Sequence, residues 1–499
     1  MSDSSPSLAF QATSFAPDLS QHALLSAAHQ FAQQLGFFDA ISESISLKMK
    51  KVDYSWLDKL KTLWASLVIG CDHTVQINHS LGDHEPALAQ LFGLSRFPDQ
   101  SQVNRLLHAF EPHHLDQWRK LHLDLLCSHS RSRDRQRWFQ LANGQRILAI
   151  DLDQRAITVG SKHFELSSKG YFGKKRGRYG YQLTLAFIGA EFGEVLDEYL
   201  DPGNTTFAHR LPDLLNSLKL FCQRSRIKPA QILLRADAQL GTPANLRLIQ
   251  ECGFHFLLKG FSSARAKKLH QQVSPHSIYH LVENGAEREP AWLCDAGVLS
   301  HQEGGKKARA QPEKISVECR TLLLARQMLK HPSKRLPPEK RTGLDQRVRV
   351  TCFDYFLTDL NPKQLPLELL LPTYYQRSTI ERYFYDECYS LGARQIRTHC
   401  FAGAALFQFL VATTNNLLQW MKHQVFKDTP LEVMGISTIV HQAMQIPGRL
   451  LKTTTGWIVE LPSQHYSLKK LLRHWKSLEL KTGPTQSDLD EDDKPKGGG

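Results

Sequence analysis

The chain has 499 residues, of which 41% are hydrophobic and 22% charged, and it carries a formal net charge of +13. That length exceeds one ordinary core and predicts two or three globular domains. No stretch approaches the ~20 apolar residues of a membrane helix, and Met1–Pro17 lacks the basic flank and apolar run of a secretory signal. Nine cysteines without paired spacing argue against a disulfide framework and for a reducing compartment, here taken as cytoplasmic. The positive balance favours a polyanionic partner, nucleic acid before all, and no membrane.

Residues 1–20 are rich in Ser, Pro and Ala and are predicted to be a flexible N-terminus. From 21 to 137 the apolar spacing is helical, which predicts a helical DNA-binding domain. Within it, Pro86–Leu94 and Ser101–Phe110 read as two short helices, with Asp99 and Ser101 as caps for the second. They form either a helix-turn-helix presenting Gln102, Asn104 and Arg105 to a groove or a plain helical hairpin. Residues 138–261 change character. Strands are predicted at Ile147–Asp153, Tyr181–Ile188 and Gly193–Leu200, a helix at His209–Gln223, a strand at Gln231–Asp237, a helix at Pro243–Cys252 and a strand at Phe254–Leu258. This order implies an α/β fold, a mixed sheet flanked by helices. Residues 262–372 are predicted to be a basic, β-rich insertion, with 13 Lys/Arg against 4 Asp/Glu between Lys306 and Arg349 and strand-like pieces at Ser316–Leu324 and Val348–Leu357. Residues 373–422 carry a helix with Glu381 and a following helix at Ala404–Lys422; 423–484 are predicted helical, and 485–499 a disordered polar tail.

Two of the apolar strands run into acids, one into Asp151 and Asp153, the other into Asp237. Side by side, such strands bring an aspartate of the first near Asp237, and Glu381 from a later helix would close a cluster able to hold two Mg²⁺ or Mn²⁺ ions. A pair of ions ~3.5–4 Å apart suits in-line phosphoryl transfer. On a continuous helix, Tyr374, Arg377 and Glu381 share one face. Taken singly, each acid is more often a strand cap or a solvated terminus, and Arg377 with Glu381 is a weak surface pair.

The run Tyr374, two residues, Arg377, three residues, Glu381 matches the signature of a known family. So do Leu234-Arg235-Ala236-Asp237, the stretch Gly170-Tyr171 through Lys174-Lys175-Arg176-Gly177-Arg178, and Asp201-Pro202-Gly203-Asn204-Thr205. The chain resembles the DDE transposases of bacterial insertion sequences, the cut-and-paste group with the Y-R-E signature and an RNase H-like catalytic domain. The resemblance covers about Ile147–Met421 and implies that Asp237 and Glu381 are catalytic metal ligands, with the first ligand at Asp151 or Asp153. The apolar run directly before Asp151 tips that choice slightly toward it. The resemblance further implies a two-ion Mg²⁺ or Mn²⁺ cofactor, double-stranded DNA at terminal inverted repeats and target sites, and a homodimer in the synaptic complex. Tyr374 and Arg377 would grip phosphate. Cys388 departs from the pattern, standing where the family usually has Lys or Arg; Arg382 and Arg394 are nearby cations.

Residues 156–180 hold six Lys/Arg against Glu165 alone, with Tyr171, Phe172 and Tyr179 interleaved. Lys174, Lys175, Arg176 and Arg178 in such a loop suit DNA phosphates, with the aromatics free to stack bases. The alternative is a solvated basic loop. The 23 histidines show no paired zinc spacing, and Gly304-Gly305-Lys306-Lys307 lacks the spacing of a P-loop. The sequence therefore predicts a metal-dependent DNA strand transferase acting at transposon ends. A silent transposase-derived DNA-binding protein and a stand-alone RNase H-like nuclease are the alternatives.

Overall fold

The computed structural model describes residues 16–462, apart from 51–52, 171, 173–176, 190, 274–279, 285–286, 304–314, 331–347 and 455. Lys174, Lys175 and Arg176 and the tail 485–499 lie outside the described residues. The chain divides into two compact units, Met1–Phe110 with Tyr389–Gly392 and Met421–Gly499, and Glu111–Cys388 with Ala393–Trp420.

The first unit opens with a short strand, β1 (Leu19–Ser20), followed by α1 (Leu25–Gln34), α2 (Phe37–Ser44), α3 (Trp56–Val68), α4 (Gln76–Ser80), α5 (Pro86–Leu91) and α6 (Gln100–Ala109). Helix α3 starts at a reciprocal cap in which Asp58 N donates to Ser55 Oγ at 3.1 Å and Ser55 N donates to Asp58 Oδ2 at 2.7 Å. Asp99 caps α6 as expected, accepting from the backbone N–H of Ser101 at 2.8 Å and of Gln102 at 3.1 Å. The α6 face formed by Val103, Leu106 and Leu107 is buried, and the helix packs on α3 and α4. Phe37, Phe38, Trp64, Phe92 and Phe97 form the aromatic centre of this unit.

The second unit contains α7 (Pro112–His129), β2 (Phe139–Gln140), β3 (Arg146–Thr158), β4 (Ser168–Lys169), β5 (Tyr179–Ile188) and β6 (Glu194–Pro202). It continues with α8 (Phe207–Arg224), β7 (Ile232–Ala236), α9 (Pro243–Glu251), β8 (His255–Lys259) and α10 (Ser263–Val273). Then come β9 (His280–Asn284), β10 (Glu287–Glu303), β11 (Ile315–Lys330), β12 (Val348–Thr358), α11 (Leu370–Tyr375), α12 (Thr379–Tyr389) and α13 (Phe401–Gln424). One mixed sheet runs in the order β4-β5-β3-β7-β8-β12-β11-β10-β9, with β6 also paired to β5 and β2 to β3. β3, β7 and β8 are mutually parallel and the other pairings are antiparallel. The expected mixed sheet flanked by helices is thus present. The basic region 262–372 joins it: β12 pairs with β8, so its strands extend the central sheet.

Two expectations are corrected. Residues 111–137 belong to the second unit and not to the N-terminal helical unit, because α7 packs on β6 and its polar side chains are bonded within that unit. His122 bridges Thr413 Oγ1 and the Val195 carbonyl, both at 2.9 Å, and Trp118 donates to Thr413 at 3.1 Å. The described part of the 423–484 region, 423–462, is also less helical than expected. Beyond the end of α13, its one α-helix among the described residues is α14 (Ile436–His441), and β13 (Gly448–Lys452) and β14 (Trp457–Glu460) form a hairpin that pairs with β1. Helix α13 is long and apolar enough to cross a membrane by composition, contrary to the sequence reading. Its most apolar 18-residue window is 94% buried inside the protein, as befits a core helix.

Candidate active site

The parallel ladder of β3 and β7 places Asp151 opposite Arg235 and Leu152 opposite Ala236. One step further, the same register brings Asp153 level with Asp237, just past the end of β7. The two aspartates of β3 meet different surroundings. Asp151 is fully buried, and both its carboxylate oxygens accept from Arg235: Nε at 2.7 Å and Nη2 at 3.0 Å. A bidentate fork of this kind is the strongest common form of ion pair. Arg235 Nη1 continues to the Thr373 carbonyl at 2.7 Å, so the same guanidinium ties β7 to α11. Gly189 closes over the pair: a Cβ there would lie 2.1 Å from Asp151 Oδ2, which only glycine avoids. Burial pushes the Asp151 carboxyl up, and the Arg235 charge opposes that shift.

Asp153 has an open side. Its side chain is 16% exposed; Oδ2 accepts from Arg377 Nη1 at 2.8 Å and Oδ1 from its neighbour Gln154 N at 2.8 Å. Burial raises the Asp153 carboxyl, Arg377 opposes the shift, and the negative charge of Asp237 adds to it. Asp237 is half-buried and its Oδ1 accepts from Gln239 N at 2.8 Å, which fixes the turn after β7. Two carboxylates that repel one another beside one guanidinium are what the structure gathers here.

The segment from Tyr374 to Glu381 is not one continuous α-helix. A 3₁₀ turn, Gln376–Ser378, separates α11 from α12. Across that turn the side chains of Tyr374, Arg377 and Glu381 meet different surroundings. Tyr374 is buried in the core, edge-on to Phe356, and its hydroxyl donates to the Ala236 carbonyl at 3.4 Å. Burial pushes that phenol up to about 12. Arg377 lies under Asp153 with its guanidinium 5.8 Å from the Tyr374 ring centre. Glu381 is exposed in the first turn of α12.

Among the described residues, no three His, Cys, Asp or Glu side chains form a group that could hold a metal ion. The structure thus brings together Asp153, Asp237 and Arg377, walls off Asp151, and leaves Glu381 outside. Asp153 and Asp237 fit a hard divalent cation as a pair, since both are oxygen donors and their mutual repulsion is what a cation relieves. Of the basic loop, Arg178 is described and exposed, whereas Phe172 is buried against Gly203 and does not present a face for stacking. Arg235 is the residue that sequence reasoning passed over, although an arginine inside the apolar run Ile232–Ala236 is itself a sign of a buried partner.

A family described as the transposase DDE domain matches residues 144–417, more than half of the chain. The match spans β3, β7 and α12, the elements that carry Asp153, Asp237 and Glu381. No curated protein matches the chain. The protein therefore belongs to the DDE transposase family.

Proposed function

We propose that this transposase is an active, divalent-cation-dependent DNA strand transferase that cleaves at transposon ends and joins them to target DNA. The observation that carries this reading is the half-open pair formed by Asp153 in the middle of β3 and Asp237 just past the end of its parallel neighbour β7. Asp153, in preference to Asp151, is the first ligand in this reading, because Asp151 is fully buried with both oxygens on one guanidinium whereas Asp153 keeps an open side. Glu381 is assigned as the third by its spacing from Tyr374 and Arg377.

Bound divalent cations would activate the attacking oxygen and stabilise the leaving one. The chain's own residues do the rest. Arg235 and Asp151 hold β3 and β7 in register beneath the pair and anchor α11. Tyr374 secures the end of β7 through Ala236 and supports Arg377 from one side, which replaces the phosphate contact expected of it. Arg377 and the exposed Arg178 offer planar donors suited to DNA phosphates. Two copies of the chain would act together, since a mobile segment has two ends.

The test is strand cleavage with Mg²⁺ on duplex DNA carrying the flanking repeats of the element. The wild type should nick at the repeat end, and Asp237→Ala should lower the rate about 100-fold or more while leaving the chain folded. End binding without any cleavage by the wild type would instead support a silent DNA-binding derivative. Cys388 in the place of a cation is the specific observation in favour of that second reading.

A further inference from the structure

Strand β3 and the helical segment 376–389 are tethered twice, with opposite polarity. Near the open rim, the strand supplies the acid, Asp153, and the segment supplies the base, Arg377. Two residues along the strand the polarity reverses. Arg155 is the base, and its guanidinium forks onto Glu387 of α12, with Nε at 3.0 Å from Oε2 and Nη2 at 2.6 Å from Oε1. Glu387 is fully buried and the Arg155 side chain nearly so. Arg155 Nη2 also reaches Gln408 of α13 at 3.4 Å, and its guanidinium lies 5.8 Å from the Phe384 ring centre. Glu381 lies in sequence between the two tethers.

Glu198 of β6 is also buried beside this pair, and neither of its carboxyl oxygens is hydrogen-bonded among the described residues. Burial, and then the negative charge of Glu387, raise its carboxyl far above the usual range. Glu387 is the acid of this trio that receives the hydrogen bonds of Arg155.

The two tethers differ in what they can do. Arg377 and Asp153 retain an open side, where a cation or phosphate competes with their pairing. The fork from Arg155 ends on Glu387, whose side chain has no exposed surface, and breaking a buried pair of this kind is costly. We propose that Arg155 and Glu387 are positioning residues: their pair fixes α12 on β3 and thereby sets where Glu381 stands relative to Asp153 and Asp237, whatever Arg377 is bound to. The inference rests on the reading of Asp153, Asp237 and Glu381 as the cation ligands.

The experiment is a Mn²⁺ titration of the full chain followed by electron paramagnetic resonance, with amide hydrogen exchange over residues 379–389 recorded on the same samples. Asp237→Ala should abolish the tight Mn²⁺ site, which establishes the underlying reading. If wild type and Asp237→Ala bind Mn²⁺ alike, that reading fails and the inference falls with it. Given a site that depends on Asp237, Glu387→Gln should weaken Mn²⁺ about tenfold and speed exchange across α12, whereas Glu198→Gln, at an acid that takes no hydrogen bond from Arg155, should behave as wild type. Wild-type Mn²⁺ affinity and wild-type exchange in Glu387→Gln would overturn the positioning role and leave the ligand reading intact. Should Glu387→Gln fail to fold, Arg155→Lys, which keeps the charge and loses the fork, carries the test with the same two outcomes.

Discussion

Asp151 and Asp153 stand two residues apart on one strand, and each is paired with an arginine, yet they serve different ends. Around Asp151 every surface is taken: Arg235 holds both oxygens, Gly189 presses on one of them, and the pair is wholly excluded from solvent. Around Asp153 the arginine takes one oxygen, a second carboxylate stands near, and a sixth of the side chain is open. The contrast teaches that an acid's type and strand position do not fix its part; how far its surroundings leave it open does. The sealed pair builds the floor on which the open one works.

The sharpest way to break this comparison is to remove the sealed acid. Asp151→Ala leaves Arg235 buried without a counter-charge and should cost about 3–5 kcal/mol, read from denaturant unfolding of the full chain. A loss below ~1 kcal/mol would show that the pair is not the buried floor described here.

A buried carboxyl without an arginine sharpens the same point in the first unit. Glu85 is buried, accepts from Gln21 N at 2.8 Å, and pairs with no guanidinium among the described residues; burial lifts it from 4.5 to about 7, against hydrogen bonds from Ser20 and Gln21. The unfolded chain releases this proton near 4.5 and the folded chain only near 7, so the folded state binds more protons across that window. Stability should therefore fall as pH rises from 4.5 to 7, by up to ~3 kcal/mol, and Glu85→Gln should flatten that part of the profile in thermal melts.

The smallest effect is expected at Tyr374. Loss of its hydroxyl in Tyr374→Phe removes one hydrogen bond to Ala236 and should cost ~1 kcal/mol. The salt dependence of end binding should stay unchanged, because the ring is buried in the protein. A reduced salt slope would return Tyr374 to the DNA surface.

Much of the sheet was legible because the strands at Ile147, Tyr181 and Gln231 are apolar runs bounded by turn residues, and the helices between them keep a regular apolar stripe. β3 proved longer than its apolar run, since Gln154 and Arg155 are polar strand residues whose partners come from β5, α12 and α13. No local pattern reveals such partners. β10 was missed because its 17 residues mix charged, small and apolar side chains without strict alternation. The different surroundings of Asp151 and Asp153 were equally hidden, being set by the register of β3 on β7 and by the arginines each meets, which are tertiary facts. The different surroundings of Tyr374, Arg377 and Glu381, buried, half-buried and exposed, are likewise tertiary facts that their spacing does not reveal.

The most direct test pairs two isosteric changes, Asp151→Asn and Asp153→Asn, with unfolding and Mg²⁺-dependent strand cleavage measured side by side. Asp153→Asn should unfold close to the wild type and fail to cut, while Asp151→Asn should lose stability first. Cleavage at the wild-type rate by Asp153→Asn would contradict the account.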